Sequence, residues 1–231
     1  MVSVLPTTIE APPNSESVKL RAYRLLKADI VRGVFDMGEK LNENQLARRY
    51  EVGKTPIREA LGMLQQEGFV QAVPRVGYLT SQLTVRDVDD IFELRLIVEG
   101  IAAEKAATTI TEDALEQLDQ LRWEFQAGDR EGYLKFFEEN LKFHSIIASA
   151  SGNRLLAQVV VGLLERMHRL VILRLDLSST LDELVGEHRR MLVALRQRDP
   201  VKAREHMQAD ISGTYQVALE SLKKHIADWH L

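Results

Sequence analysis

Four polar side chains interrupt the apolar stripes of predicted helices in the C-terminal part of this 231-residue sequence. Asn140 and His144 are four residues apart, so they project from one face of a helix on adjacent turns. His188 and Asp210 occupy inward positions of two later helices. Burying these groups separately would cost several kcal/mol, whereas a shared divalent cation removes most of that cost. Two imidazoles, a carboxylate and an amide oxygen suit Zn²⁺, Mn²⁺, Ni²⁺ or Fe²⁺.

The same residues allow two other interpretations. They could form a hydrogen-bonded polar cluster without a metal, and His206, one turn before Asp210, is an alternative ligand or outer partner. Two histidines and a carboxylate with an open coordination position also describe a non-haem iron oxygenase or a hydrolase. The sequence shows no well-placed general base, no glycine-rich phosphate loop and no nucleophile motif, so we expect no enzyme.

A second group of residues could recognise double-stranded DNA. Lys54, Thr55 and Arg58 lie together on the first turn of a short predicted helix. Arginine can bind guanine O6 and N7 with two hydrogen bonds, and lysine can contact a base or a phosphate. Asn44, in the preceding helix, is a further candidate for a DNA contact. Arg75, at the tip of a predicted hairpin, could contact the minor groove or the backbone.

The elements that position these DNA-contacting residues are three helices and a β-hairpin within residues 18–80. The pattern predicts helices over residues 18–32 and 43–50, and a third that follows Gly53 and ends at Gly68. Residues 69–73 and 77–80 are predicted to pair as two short strands. This order of elements is that of a winged helix-turn-helix, whose second helix of the pair enters the major groove with its N-terminal end.

Beyond Gln82 the sequence pattern is helical throughout. We predict six helices, which begin at Thr84, Thr111, Asp129, Asn153, Thr180 and Asp199. The second is expected to reach about residue 127. The fourth, expected to reach about residue 175, is apolar nearly all round and is predicted to be the buried centre of a bundle. The fold class is therefore mainly α: a winged helix-turn-helix domain (18–80) and an all-α helical domain (81–231) of about six helices.

Composition and charge restrict the class of protein. Residues 18–80 carry 11 Lys and Arg against 7 Asp and Glu, whereas residues 81–231 carry 19 against 25. A basic module joined to an acidic body fits a nucleic-acid-binding protein. The absence of cysteine excludes disulfides and thiolate metal sites. No apolar run is long enough for a membrane span and no secretion signal is visible, so we expect a cytoplasmic protein with residues 1–17 as a flexible arm.

Residues 18–80 resemble the DNA-binding domain of GntR-family transcription regulators. The family pattern has a Leu-Ala pair, a turn, then TPVREAL and finally Glu-Gly. This chain has Leu46-Ala47, TPIREAL at residues 55–61, and Glu67-Gly68. Gly53 and Lys54 stand where the family usually has Ser or Thr followed by Arg. Since lysine lacks the planar guanidinium group of arginine, recognition of a particular base by residue 54 is expected to be less specific.

Residues 84–225 resemble the FCD effector domain of the FadR subfamily, an all-helical bundle. Its metal-binding members use Asp or Asn, a His four residues later, a His in a later helix, and another His 22 positions further on. Asn140, His144 and His188 match the first three positions, and Asp210 stands at the fourth. The resemblance thus implies a metal site of two histidines, one carboxylate and Asn140.

The resemblance also implies a small carboxylic acid effector, which coordinates the metal and meets an arginine in the cavity of the bundle. Arg95 is the leading candidate for that arginine, and an exposed ion pair with Glu99 is its alternative. Arg166 and Arg169 lie in the apolar fourth helix and are further candidates, because a buried guanidinium needs an anionic partner.

The combined expectation is a homodimeric transcription regulator without enzyme activity, and a repressor on family grounds. Two recognition helices would bind the half-sites of a pseudo-palindromic operator. A bound effector would change their spacing or mobility and so the affinity for the operator. The first helix of the C-terminal domain is the expected dimer interface.

Overall fold

The computed structural model describes residues 17–123, 130–168 and 181–228. The predicted arm lies outside these residues except for Ser17, whose hydroxyl accepts a hydrogen bond from the Leu20 amide and caps the first helix. The described chain divides into two compact units, and Leu83 and Thr84 stand on either side of the division. Among the described residues, no helix combines the length and the apolar character that crossing a membrane requires.

The first unit contains three helices and a small sheet, as the sequence predicted. The helices are α1 (Val18–Val31), α2 (Glu43–Arg49) and α3 (Lys54–Gln66). The strands are β1 (Lys40–Leu41), β2 (Val70–Val73) and β3 (Gly77–Thr80), all antiparallel, in the order β1-β3-β2. Strand β1 was not predicted, because two residues are too few to show an alternating pattern. The winged helix-turn-helix fold is confirmed, with three strands instead of two.

Helix α3 is held against α1 by its apolar side and by the residue that follows its C-terminal end. Ile57, Leu61 and Leu64 are fully buried in a core shared with α1. At the far end, Glu67 accepts hydrogen bonds from the Tyr23 hydroxyl at 2.7 Å and from Lys27 Nζ at 2.8 Å. These contacts anchor α3 and leave its N-terminal turn exposed.

The second unit consists of helices throughout its described residues. They are α4 (Val85–Thr109), α5 (Glu112–Asp119), α6 (Arg130–Ala150), α7 (Arg154–His168), α8 (Leu181–Arg196) and α9 (Pro200–Asp228). Helix α4 begins with the predicted capping box of Thr84 and Asp87. It contacts α6, α7, α8 and α9, and closely packed alanines such as Ala102 and Ala106 allow this approach. Helix α4 is therefore the centre of the bundle.

Two predictions about these helices were wrong. Helix α5 ends at Asp119 instead of continuing toward residue 127, and the chain then leaves the helix so that the Trp123 ring packs 4.2 Å from the ring of His188. Helix α7 is not buried all round, since Leu155 is 70% and Val159 is 45% exposed. Its second apolar face is uncovered in the single chain. The predicted ends of the helices near residues 127 and 175, and the cap at Thr180, lie outside the described residues.

Candidate nucleic-acid interface and metal centre

The N-terminal turn of α3 presents the predicted DNA-contacting residues to solvent. Lys54, Thr55 and Arg58 are all exposed, while Ile57 on the opposite side is buried. Gly53 caps the helix without a side-chain hydrogen bond, so free backbone N–H groups remain at this end. A helix N-terminus with free amides favours a phosphate group.

Arg58 is held by a neighbouring helix while it stays accessible. Its Nε donates a hydrogen bond of 2.7 Å to Oε2 of Glu43 in the first turn of α2, and its side chain is 65% exposed. Because only Nε is used in this contact, the terminal nitrogens can still form the paired hydrogen bonds that guanine accepts. Asn44, next to Glu43, is exposed as well.

Arg75 lies at the tip of the β2–β3 hairpin. It is exposed and has a φ of 65°, a left-handed conformation that is uncommon for a residue other than glycine. The turn therefore projects this cation away from the sheet. The structure shows Asn44, Lys54, Thr55, Arg58 and Arg75 on the surface of the first unit, and their contacts with DNA stay predictions.

Three of the four predicted metal ligands meet in the interior of the second unit. His144 of α6, His188 of α8 and Asp210 of α9 are each at most 2% exposed. Nε2 of His144 lies 3.3 Å from one carboxylate oxygen of Asp210, and Nε2 of His188 lies 3.1 Å from the other. One possible ligand atom from each of the three residues lies within 4.8 Å of the other two. Ligands about 2.0–2.1 Å from a tetrahedral Zn²⁺ are separated by about 3.3 Å, so the two histidine–carboxylate distances are compatible with a shared cation as well as with hydrogen bonds.

The hydrogen bonding of this cluster is incomplete, which also fits a metal site. Both ring nitrogens of His188, and also Nδ1 of His144 and Oε2 of Glu99, lack a hydrogen bond of good geometry although they are buried. Buried polar atoms without partners are rare and need an explanation. A cation that accepts the Nε2 lone pairs of both histidines and a carboxylate oxygen would account for Nε2 of His188.

Charge in the cluster is balanced by neighbouring groups. Burial alone would raise the pKa of Asp210, but His188 and His144 hold it well below its usual range. Burial alone would lower the pKa of His144, but the carboxylates of Glu99 and Asp210 raise it to about 9. His144 is therefore doubly protonated near neutral pH when no metal is bound. A metal at Nε2 would have to displace the proton on that nitrogen.

Behind His144 lies a buried ion pair on α4. Nδ1 of His144 is 2.6 Å from Oε2 of Glu99, and Oε1 of Glu99 accepts a hydrogen bond of 2.5 Å from Nε of Arg95. Both Arg95 and Glu99 are 1% exposed. Nη1 of Arg95 also contacts Sδ of Met167 in α7 at 2.7 Å. The chain of contacts thus runs from α7 through α4 to the predicted ligand on α6.

On another side of the cluster, a cavity of about 610 Å³ lies against His188. Its lining includes the aromatic residues Trp123 and Phe143 and four charged residues: Arg122, Arg189, Asp119 and Asp182. The Phe143 ring packs 4.3 Å from the His188 ring, so the imidazole is held between two aromatic groups. The cavity therefore combines apolar walls, two cations, two carboxylates and a predicted metal ligand, and small-molecule sites commonly combine apolar and polar groups in this way.

Sequence comparison assigns both units. Residues 18–79 match the bacterial regulatory proteins of the gntR family, and residues 90–213 match the FCD domain. The chain is 30% identical to the HTH-type transcriptional regulator YdhC of Bacillus subtilis, over 82% of this chain and 86% of that protein. It is 28% identical to the HTH-type transcriptional repressor RspR of Escherichia coli, over 83% of this chain and 85% of that protein. The chain belongs to the GntR family of DNA-binding transcriptional regulators.

Solved structures of other GntR-family proteins have the same fold. McbR/YncC of E. coli superposes with a TM-score of 0.68 at 23% identity, covering 87% of this chain and 99% of that one. A GntR regulator from Rhodococcus gives a TM-score of 0.73 at 18% identity, covering 87% and 97%. The sequence resemblance to the GntR and FCD domains is thus confirmed, while the assignment to the FadR subfamily stays a prediction.

The remaining ligand predictions have different outcomes in this GntR-family structure. Asn140 is buried on α6 one turn before His144, as predicted, and its role as a ligand stays a prediction. His206 does not join the cluster, because its Nδ1 lies 2.8 Å from a carboxylate oxygen of Glu187. It belongs to a separate, partly exposed contact with that carboxylate.

The predicted effector arginines also differ from one another. Arg95 forms the ion pair with Glu99 that was its alternative, but the pair is buried instead of exposed. Arg166 is exposed on α7, so the argument that a buried guanidinium needs an anion does not apply to it. Arg169 lies outside the described residues.

Sequence reasoning missed the residues around His144 and His188. Glu99 was considered only as a partner for Arg95, although its place on the inward stripe of α4 was a signal that it is buried. Arg122, Trp123 and Arg189 were missed because nothing in their local pattern indicates a cavity. They come together only through the packing of α5, α6 and α8.

Proposed function

We propose that this GntR-family regulator is a cytoplasmic homodimeric repressor whose operator affinity is controlled by a small organic acid, bound with a divalent metal in the FCD unit. The observation that carries the effector part is the convergence of His144, His188 and Asp210 beside a cavity that His188 helps to line. The similarity to RspR and GlaR of E. coli, two proteins that are named transcriptional repressors, supports repression as the sign of regulation.

The DNA-binding part is supported by the exposed N-terminal turn of α3. Arg58 would read guanine in the major groove, and Lys54 and Thr55 would contact a base or the adjacent phosphates. Asn44 and Arg75 would position the unit on the backbone or in the minor groove.

The test uses a duplex that the wild-type protein selects from a random-sequence library. Affinities for this duplex and for a scrambled one are measured by fluorescence anisotropy at a fixed salt concentration. Arg58→Ala should weaken binding to the selected duplex by about 5- to 150-fold, equivalent to about 1–3 kcal/mol. Arg86→Ala is the matched control, since it removes the same charge from an 89% exposed side chain on α4. An unchanged preference for the selected duplex in Arg58→Ala would contradict the proposal.

The metal would be held by His144, His188 and Asp210, with Asn140 as the fourth protein ligand. A metal with a coordination number above four would keep open positions beside these four ligands, and these positions would attract a carboxylate. The protein's own groups would complete the effector site. Arg189 and Arg122 would pair with the acid in a lining that also holds Asp119 and Asp182, and Trp123 and Phe143 offer apolar surface.

A thermal-shift screen of organic acids with and without Zn²⁺, Mn²⁺, Ni²⁺ and Fe²⁺ tests this site, because a ligand of the native state raises the melting temperature. A metal-dependent shift supports the proposal. A shift that needs no metal would indicate instead a metal-free pocket beside a polar cluster, and elemental analysis of protein purified without chelator would decide the same question.

Two variants locate the effector once an acid is found. Arg189→Met should reduce the acid-induced shift, whereas Arg166→Met should preserve it. Both arginines are exposed, but only Arg189 lines the cavity. The reverse pattern would favour the arginine of α7 that the sequence suggested.

A homodimer is supported by an exposed apolar stripe on α4. Leu94, Ile97 and Ile101 recur at a helical spacing and are 40%, 51% and 37% exposed. Light scattering after gel filtration should show a dimer for the wild type and a monomer for Ile97→Glu. Val193→Glu is the matched control, since Val193 on α8 is also 51% exposed. A wild-type monomer would contradict the dimer.

A further inference from the structure

The buried pair of Arg95 and Glu99 is difficult to explain by stability alone. A buried ion pair loses so much hydration that well-packed apolar residues of similar volume are often as stabilising or better. Here Glu99 turns its two carboxylate oxygens in different directions, one toward Arg95 and the other toward His144. That second direction connects the pair to the predicted metal ligands.

The two nitrogens of His144 face two different carboxylates. Nδ1 lies 2.6 Å from Oε2 of Glu99, within ion-pair distance but without the angles of a good hydrogen bond, and Nε2 lies 3.3 Å from Asp210. A metal-binding histidine usually donates its other N–H group to a carboxylate, which fixes the tautomer and the orientation of the ring. The positions of Glu99 and Asp210 on opposite sides of the imidazole match that arrangement.

We propose that Glu99 is a positioning residue for the metal site, which holds the Nδ1–H group of His144 so that Nε2 faces His188 and Asp210. The inference rests on the proposed metal site. Arg95 supports this role because its Nε holds the far oxygen of Glu99 at 2.5 Å. Arg95 is then part of the support of the metal site, and the effector meets other cations.

The test compares the Zn²⁺ affinity of three proteins by competition with a chromophoric chelator. Glu99→Gln should bind Zn²⁺ about 10- to 100-fold more weakly than the wild type, as is typical when an outer partner of a ligand is lost. Glu187→Gln is the matched control, because Glu187 contacts His206, which is not in the cluster. Its affinity should stay within about 2-fold of the wild type on the same scale.

Loss of fold is excluded by circular dichroism and by a second variant. Glu99→Gln leaves Arg95 buried without its carboxylate, so Arg95→Met with Glu99→Gln is measured as well. This double variant removes the unpaired cation and should fold. It should show the same weakened Zn²⁺ binding, because the carboxylate facing His144 is missing in both.

A spectroscopic measurement separates positioning from a general effect of charge. In the Zn²⁺-loaded wild type, nitrogen-15 NMR of His144 should show a protonated Nδ1 and a ligating Nε2. Ligation through Nδ1, or a folded Glu99→Gln protein with wild-type Zn²⁺ affinity, would overturn the role of Glu99 and leave the metal site standing. Failure of the wild type to bind Zn²⁺ would overturn both.

Discussion

Two arginine–glutamate pairs, one in each unit, have nearly the same geometry and opposite surroundings. Arg58 and Glu43 are 2.7 Å apart on the surface of the DNA-binding unit, and Arg95 and Glu99 are 2.5 Å apart inside the FCD unit. The side chain of Arg58 is 65% exposed, whereas that of Arg95 is 1% exposed. Short distances alone therefore do not define what an ion pair does.

The difference in surroundings separates recognition from internal positioning. A solvated pair contributes little to stability, so Arg58 can exchange part of its hydration for a DNA base. A buried pair cannot lose one member without leaving an unpaired charge in the protein interior. We expect mutations at the exposed pair to change binding and mutations at the buried pair to change folding and the metal site.

The largest expected effect is on stability. Glu99→Leu should lower the free energy of unfolding by about 3–5 kcal/mol, because Arg95 becomes a buried cation without its carboxylate. Glu43→Leu, the same change at the exposed pair, should cost under about 1 kcal/mol. Urea denaturation followed by circular dichroism measures both. Equal losses would remove the contrast between the pairs.

The next effect is on metal binding. Asp210→Asn should weaken Zn²⁺ binding by more than the roughly 10- to 100-fold that outer partners contribute, because it removes the carboxylate between the two imidazoles. Isothermal titration calorimetry measures the change. The substitution keeps the size of the side chain, so retained affinity would show that the carboxylate is not a ligand.

A smaller effect should follow from loosening Arg58. Glu43→Gln removes the charge that holds Nε of Arg58, and should weaken binding to the selected duplex by about 0.2–1 kcal/mol. Binding to the scrambled duplex should not fall. Anisotropy titrations of both duplexes check the prediction, and an equal loss on both would indicate a general change of charge.

The smallest effect concerns the cap of α3. Gly53→Ser should stabilise the protein by a few tenths of a kcal/mol, since serine can accept a hydrogen bond from the first turn. Space is sufficient, because a Cβ at residue 53 would meet Pro56 at an ordinary 3.6 Å. Thermal unfolding measures the gain, and a loss would mean that the free amides have another partner.

The same contrast explains what the sequence could predict. The DNA-binding unit was predicted closely, because its helices are set by local signals: the Asn42 cap, the Gly53 turn and the spacing of Ile57, Leu61 and Leu64. The exposure of Lys54 and Arg58 could be predicted because both lie on the first turn of α3, on the side away from the apolar residues. Only the two-residue strand β1 was missed, because its pairing with β3 depends on a distant segment.

The FCD unit was predicted less completely, because its site is assembled from distant helices. The positions of His144, His188 and Asp210 on apolar stripes correctly indicated that these polar side chains are buried together in the bundle. The same pattern could not show which neighbours would face them. Glu99, Trp123 and Arg189 reach the site only through tertiary packing. Helix α7 was wrongly predicted to be buried, because in the sequence an uncovered apolar face cannot be told from a buried one.

Asp210, in place of the histidine of the family pattern, sets the formal charge of the interior. A divalent cation with two neutral imidazoles and this carboxylate would leave one positive charge, whereas a third histidine would leave two. The neighbouring guanidinium and carboxylate on α4 cancel each other. A single carboxylate group would then make the buried site electroneutral, so this chain should prefer monoanions to dianions of similar size.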